Sequence, residues 1–304
     1  MKKSKRLGLV FITALTIFTA CNNDTEKVPV QETEIRLVSE ITSVSRVTSL
    51  DYQSTQIVSG QKVGITIKGA QDEHNNVAWT AGLEGMLTPD SHSIYWGDNE
   101  ITVTAYHPYD ADYKGTSYTF SVNTDQSTHS GYLNSDLLWA TETETKTVSP
   151  ITLTFAHKLA KLNVILSSDD ITDLSKAVIS VCGTNLSTGF NPATGDLFSV
   201  TENIADIKAG ITAKDAYTAS AILVPQTIGK GTQFIKINLN NKEYHYTLSN
   251  DCEFKSGHSY NCSLNIKEST GNGLEITMED EEITDGNQYE IDAGTGTITE
   301  KNNH

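Results

Sequence analysis

The sequence predicts an all-β protein of antiparallel β-sandwiches with few, short helices. Three observations carry this expectation. Short runs rich in β-branched and aromatic residues recur along the chain, bounded by Gly, Asn, Asp and Ser. Within the runs apolar and polar residues alternate, which turns one face inward and one face to solvent. No long stretch carries a helical apolar period.

The first residues are set apart from that pattern. Lys2, Lys3, Lys5 and Arg6 form a basic cluster, Leu7 to Thr19 an apolar stretch, and Phe18-Thr19-Ala20-Cys21 places a small residue directly before a cysteine. Residues 1–20 therefore read as a lipoprotein signal peptide cut before Cys21, whose thiol and new amine would carry acyl chains. Each buried methylene contributes roughly 0.8 kcal/mol, so several chains anchor a protein stably. The apolar stretch is shorter than the about 20 residues of a spanning helix. The expected protein is thus tethered by lipid rather than threaded through a membrane. Residues 21–34, polar and carrying Pro29, read as a flexible tether.

A first domain is expected over 35–145. Val63-Gly64-Ile65-Thr66-Ile67 and Ile101-Thr102-Val103-Thr104-Ala105-Tyr106 are its clearest strands. Asp136-Leu137-Leu138-Trp139-Ala140 reads as a short helix or an irregular segment. Thr141 to Thr147 has no apolar face and Pro150 follows it, so the boundary is expected here. A second domain is expected over 146–268. Its strands are Ile151–Phe155, Leu162–Leu166, Val178–Val181, Ala221–Val224, Phe234–Leu239, Tyr244–Leu248 and Tyr260–Ile266. Asn240-Asn241 is the expected hairpin turn, because Asn tolerates positive φ. Residues 269–304 form an acidic, Gly-rich tail.

Composition excludes several function classes. The formal net charge of -16 argues against nucleic-acid binding and against docking on an anionic membrane. Cys182, Cys252 and Cys262 show no CxxC spacing, so neither a zinc nor a redox motif is expected. An exported chain permits one disulfide with one thiol left over, and three buried thiols are the alternative. The histidines show no HExxH spacing, and His157, between Phe155 and Leu159, reads as structural. The run Glu279 to Glu282 lacks the alternating acids and Gly of a calcium loop and reads as a solvated charge run. Trp79, Trp96 and Trp139 stand beside apolar residues and are expected in the core. No catalytic residue, metal or cofactor is expected, and no enzyme.

Several phrases, in order over about Glu34 to Ile266, resemble the fimbrillin family of outer-membrane lipoproteins, the subunits of type V pili. They are Ser45-Arg46-Val47, Ile57 to Gly64, Leu87-Thr88-Pro89 through Ile94-Tyr95-Trp96, and Thr104-Ala105-Tyr106-His107-Pro108-Tyr109. Asp125-Gln126-Ser127, Ser135 to Ala140, Leu153 to Leu162, Val224-Pro225-Gln226 and Phe254 to Tyr260 follow. The family's usual terminal tryptophan is absent near Glu282-Ile283-Thr284.

The resemblance implies two transthyretin-like sandwich domains, no enzymatic activity, and a place at the outer membrane and then in the fimbrium. It implies a protease cut at Arg46 that removes the first strand, with Arg36 as the alternative cut. Another subunit's strand would then fill the groove. The tail is the candidate donor, with Leu274, Ile276, Met278, Tyr289, Ile291 and Ile298 as its apolar positions. Implied partners are other fimbrial subunits, the outer membrane through lipid on Cys21, and a host or bacterial surface ligand. The alternative is a permanently lipid-anchored protein that binds a glycan or host protein.

Overall fold

The computed structural model describes residues 32–42, 54–169, 171, 173–213, 217–267, 275–277, 288–292 and 297–300. The first half of the chain supplies β1 Leu37–Ile41, β2 Lys62–Lys68, β3 His74–Ala81, β4 Met86–Pro89, β5 Glu100–His107, β6 Tyr118–Ser121, β7 Leu138–Thr145 and β8 Ile151–His157. All but β6 join one sheet that closes into a barrel in the order β1-β4-β3-β2-β5-β7-β8. Its pairings are antiparallel except the closing one. There β1 runs parallel to β8, with Leu37 opposite Ile151 and Ile41 opposite Phe155. Alternation sets the inward face. Val63, Ile65 and Ile67 of β2, Ile101, Val103 and Ala105 of β5, and Ile151, Leu153 and Phe155 of β8 meet Leu37, Trp79 and Leu87 in one core.

The second half supplies β9 Ala160–Ser167, β10 Val178–Asn185, β11 Ser187–Asn191, β12 Asp196–Phe198, β13 Ile204–Lys208, β14 Gly210–Ala213, β15 Thr218–Leu223 and β16 Gln226–Ile228. It continues with β17 Gln233–Leu239, β18 Lys242–Thr247, β19 Cys252–Phe254, β20 Ser259–Lys267, β21 Glu275–Thr277, β22 Gln288–Asp292 and β23 Thr297–Glu300. One sheet has the order β14-β15-β9-β20-β22-β23, and another the order β13-β10-β17-β18. Leu162 and Val164 of β9, Cys262 and Leu264 of β20, Ile179 and Val181 of β10 and Ile237 of β17 share a second core. The Asn240-Asn241 turn joins β17 to β18 with φ of 53° and 61° at its two residues. Asn accepts that left-handed backbone more readily than most residues.

Both cores lie in one compact unit, Thr33–His304. They exchange elements across the middle of the chain. β6, from the first half, pairs with β11 of the second. Tyr106, Phe120 and Tyr132 belong to the second core. The expected division at 145/146 falls inside the first sheet, because β8 is held there by β1 and β7. The segment Thr141 to Thr145, expected as linker, is the second half of β7. It is polar because it lies on a solvated face. Thr143 and Thr102 pair their hydroxyls across the strands at 3.0 Å, and Thr141 and Thr104 at 3.4 Å. Asp136 to Ala140 is likewise no helix, since β7 begins at Leu138. The short helix α1 (His129–Leu133) precedes it, with the Thr128 hydroxyl accepting from the Gly131 amide at 3.1 Å.

The three described cysteines are unbonded thiols, which decides the open alternative against a disulfide. Cys252 and Cys262 are wholly buried. Trp79 and Trp96 are core residues as expected, whereas Trp139 is half-buried and packs from the side.

Candidate functional site

The closing strand β1 lies between β4 and β8. Its alternation points Ile35, Leu37 and Ser39 inward, 2%, 0% and 0% exposed. Arg36 and Glu40 face out. Burying two such aliphatic side chains contributes about 3–6 kcal/mol before the entropy of ordering. The backbone ladder runs past both ends of the strand. The Ile35 amide donates to Ile94 O at 2.8 Å, Ile151 N to Arg36 O at 2.8 Å, Ile41 N to Thr55 O at 2.8 Å and Thr42 N to Phe155 O at 2.9 Å.

Ser39 is the inward position that alternation alone leaves unexplained. Its hydroxyl donates to Gly85 O at 3.1 Å and accepts from Ile57 N at 3.3 Å. Gly85 has φ of +74°, and a Cβ there would lie 2.5 Å from the Ser39 carbonyl oxygen. Only glycine lets the β3–β4 turn approach β1 this closely. The sequence carried a signal for this contact, a small polar residue at an inward position of an apolar strand, but no signal for its partner.

Taking β1 out leaves two unpaired edges, on β4 and β8, above an apolar slot lined by Leu87, Ile151, Leu153 and Phe155. What β1 supplies there is two apolar side chains and one small polar one at alternate positions, with its backbone ladder on both edges.

The expected site residues fall as follows. Cys21, Arg46, Leu274 and Met278 lie outside the described residues. Thr42 and Ser54 are the described positions on either side of Arg46. Arg36, the alternative cut, has an exposed side chain whose Nη2 donates to Val148 O. Its own carbonyl is tied into the ladder to Ile151. Backbone pairing therefore shields that peptide. Ile276, Tyr289, Ile291 and Ile298 are not brought to β1. Ile276 lies opposite Ile266, Tyr289 opposite Tyr260, and Ile291 opposite Ile298, all on the free side of β20.

The barrel meets the second core through aromatic and buried polar groups. Tyr106 donates to Asn76 Oδ1 at 2.8 Å, and its ring lies 6.0 Å from Phe190 and 5.8 Å from Tyr113. Burial raises the Tyr106 phenol well above its ordinary range, so it is a donor and not a base. The Trp139 indole donates to Pro192 O at 2.8 Å, with Lys158 Nζ 5.5 Å from the ring centre. His157 Nδ1 lies 2.8 Å from Asp136 Oδ1, both side chains 7% exposed, which fits the structural role read from sequence. Neighbouring His107 is buried, with Nδ1 2.8 Å from Lys62 O. No group of three metal-ligating side chains converges among the described residues.

Comparison with known proteins adds a family and a fold. A family model described as fimbrillin-like matches residues 45–280. A protein of Bacteroides uniformis named as fimbrium subunit Fim1C is 26% identical over 94% of this chain and 97% of its own length. A crystal structure from Bacteroides ovatus, described as a cell adhesion protein, superposes with a TM-score of 0.61 at 19% identity, over 84% of this chain and 99% of that one. A second, from Bacteroides uniformis and described in the same words, gives 0.57 at 20% identity, over 81% and 96%.

Proposed function

This chain belongs to the fimbrillin-like family, and on that footing we propose that it is made as a lipid-anchored precursor and assembles into fimbriae by strand exchange. The chain is a fimbrial subunit of the cell surface, a structural protein and not an enzyme. In the proposed sequence Cys21 carries the lipid that holds the precursor at the outer membrane. A protease cuts at Arg46 and frees β1. A tail segment of another subunit, drawn from Leu274, Ile276, Met278, Tyr289, Ile291 and Ile298, takes its place. The resulting fibre supports adhesion.

The observation that carries this reading is the parallel β1–β8 pair. β1 is separated in sequence from both of its neighbours and is followed directly by residues 43–53, where Arg46 sits. One cut there leaves the strand attached to the barrel by non-covalent contacts alone. The family match begins at residue 45, just after β1 and beside Arg46.

N-terminal sequencing of protein from outer-membrane and shed-fibre fractions tests the proposal. The expected fibre subunit starts at Val47, and Arg46→Ala stays at precursor mass without entering fibres. Fibres of normal yield and unchanged subunit mass from Arg46→Ala overturn the maturation step. An uncut N-terminus in all surface material favours the reading of a permanently anchored binding protein.

A further inference from the structure

We infer that the groove between β12, its connection to β13, and β16 is a binding site for neutral sugar residues, with Phe198 as the stacking surface. The groove encloses about 490 Å³, inside the roughly 300–1,000 Å³ of small-molecule sites. Phe198, Ser199, Glu202, Ile204, Thr227 and Thr232 are among the residues that line it. Phe198 is 43% exposed and Ile204 55%, two large apolar side chains presented together at the groove.

Phe198 packs on a glycine. It lies opposite Gly189 across the β11–β12 pair. A Cβ on Gly189 would fall 2.1, 2.3 and 2.4 Å from three adjacent ring carbons, Cε2, Cδ2 and Cζ. A point that close to three ring atoms lies over the face of the ring, not beyond its edge. One face of Phe198 is therefore seated on the glycine backbone, and the rest of the ring is left to the groove. An exposed aromatic ring beside hydrogen-bonding groups is suited to the C–H face of a pyranose.

The polar groups narrow the ligand. The hydroxyls of Ser199, Thr227 and Thr232 and the Glu202 carboxylate have no partner among the described residues. No Lys, Arg or His lines the groove, so a phosphate or sulfated sugar would meet one carboxylate and no counter-charge. At the groove wall the Asn185 backbone is capped by Gln226, whose Oε1 accepts from the Asn185 amide at 2.8 Å and whose Nε2 donates to its carbonyl at 3.0 Å. A neutral polyol suits a lining of hydroxyls and one carboxylate without a cation. Every lining residue comes from the second half of the chain and none from the barrel, so the groove lies apart from β1.

Saturation-transfer NMR of the detergent-solubilised full chain tests the assignment. The probes are cello-, xylo-, manno- and galacto-oligosaccharides, with a heparin-derived oligosaccharide as the charged control. Transfer to the C–H protons of at least one neutral sugar is expected, and none to the control. Phe198→Leu keeps Gly189 covered without a ring and should weaken binding about tenfold. Phe198→Trp should retain it, and Glu202→Gln should weaken it. Fibre yield should be unchanged in all three variants. No transfer to any neutral sugar, preference for the sulfated control, or unaltered affinity of a folded Phe198→Leu protein each overturns the site. Fibre loss in Phe198→Leu would tie the groove to polymerisation and also overturn it.

Discussion

Gln126 lies across the backbone of Ile222, accepting from its amide at 2.7 Å through Oε1 and donating to its carbonyl at 2.9 Å through Nε2. The side chain is wholly buried. It stands where β14, the strand beside β15, no longer reaches, and it supplies the donor and acceptor that a further strand residue would supply. Gln226 does the same for Asn185. A primary amide suits this task because it carries both a donor and an acceptor in one plane.

Gln126→Ala should therefore leave two buried backbone groups unsatisfied and lower stability by about 1–3 kcal/mol. Gln126→Glu should cost more at neutral pH, since a carboxylate accepts but cannot donate to Ile222 O. Once protonated, the acid regains a donor, so the gap between Gln126→Glu and wild type should narrow as pH falls. Urea midpoints at pH 7.5 and pH 5 measure this, and a gap that widens in acid counts against the clamp.

His107 sets an acid limit on folding. Nδ1 faces the Lys62 carbonyl, which only accepts, so that nitrogen carries the hydrogen. Burial drives the His107 pKa below the ordinary value of 6.5, with smaller opposing effects from the Lys62 carbonyl, Asp136 and the Leu133 carbonyl. Below about pH 6.5 the unfolded chain takes up a proton that the folded one resists. The stabilisation is complete above that pH and is lost on the way down. His107→Gln keeps a donor but does not titrate, and it should flatten the acid side of the stability profile. An unchanged acid slope in this variant places the titrating group elsewhere.

Gly195 and Gly231 separate backbone strain from a steric clash. Both are left-handed, with φ of +74° and +83°. A Cβ on Gly195 would lie 2.5 Å from the Trp139 ring, whereas nothing lies within 4 Å of one on Gly231. Gly231→Ala should lower stability by about 1 kcal/mol through strain alone. Gly195→Ala should cost about 1–3 kcal/mol more as Trp139 is displaced, with a shift in tryptophan fluorescence. Equal thermal midpoints for the two variants would remove Trp139 from the account.

The thiols should be inert in the native protein. Burial pushes Cys182 up to about 11, and Cys252 and Cys262 up to about 12. At pH 8 all three are protonated and the last two are shielded. Iodoacetamide should label Cys182 slowly and Cys252 and Cys262 only after unfolding, as read by peptide mass. Rapid native labelling of Cys262 would contradict its place in the second core.

The tail has its own test. Deleting Gly286 to His304 should leave a folded, processed monomer that accepts a strand but donates none. Normal fibres from the truncated chain would show that donation comes from another segment.

Period-two alternation in the sequence determined the class of the fold and the inward faces of β2, β5, β8, β9 and β20. That pattern is local and follows from the pleat of a strand. The Asn240-Asn241 turn was legible for the same reason, since it depends on two adjacent residues. Partners were not legible, because alternation states which side of a strand is apolar and not which edge it meets. Only the tertiary structure placed β1 parallel to β8 and so carried the first core past Pro150. It also joined β6 to β11 across the middle of the chain. The roles of Ser39, Gln126 and Gln226 were hidden too, because each is a buried polar group whose partner lies far off in sequence. The exposed face of Phe198 was equally unreadable, for the ring is seated on a glycine that only the β11–β12 register brings beneath it.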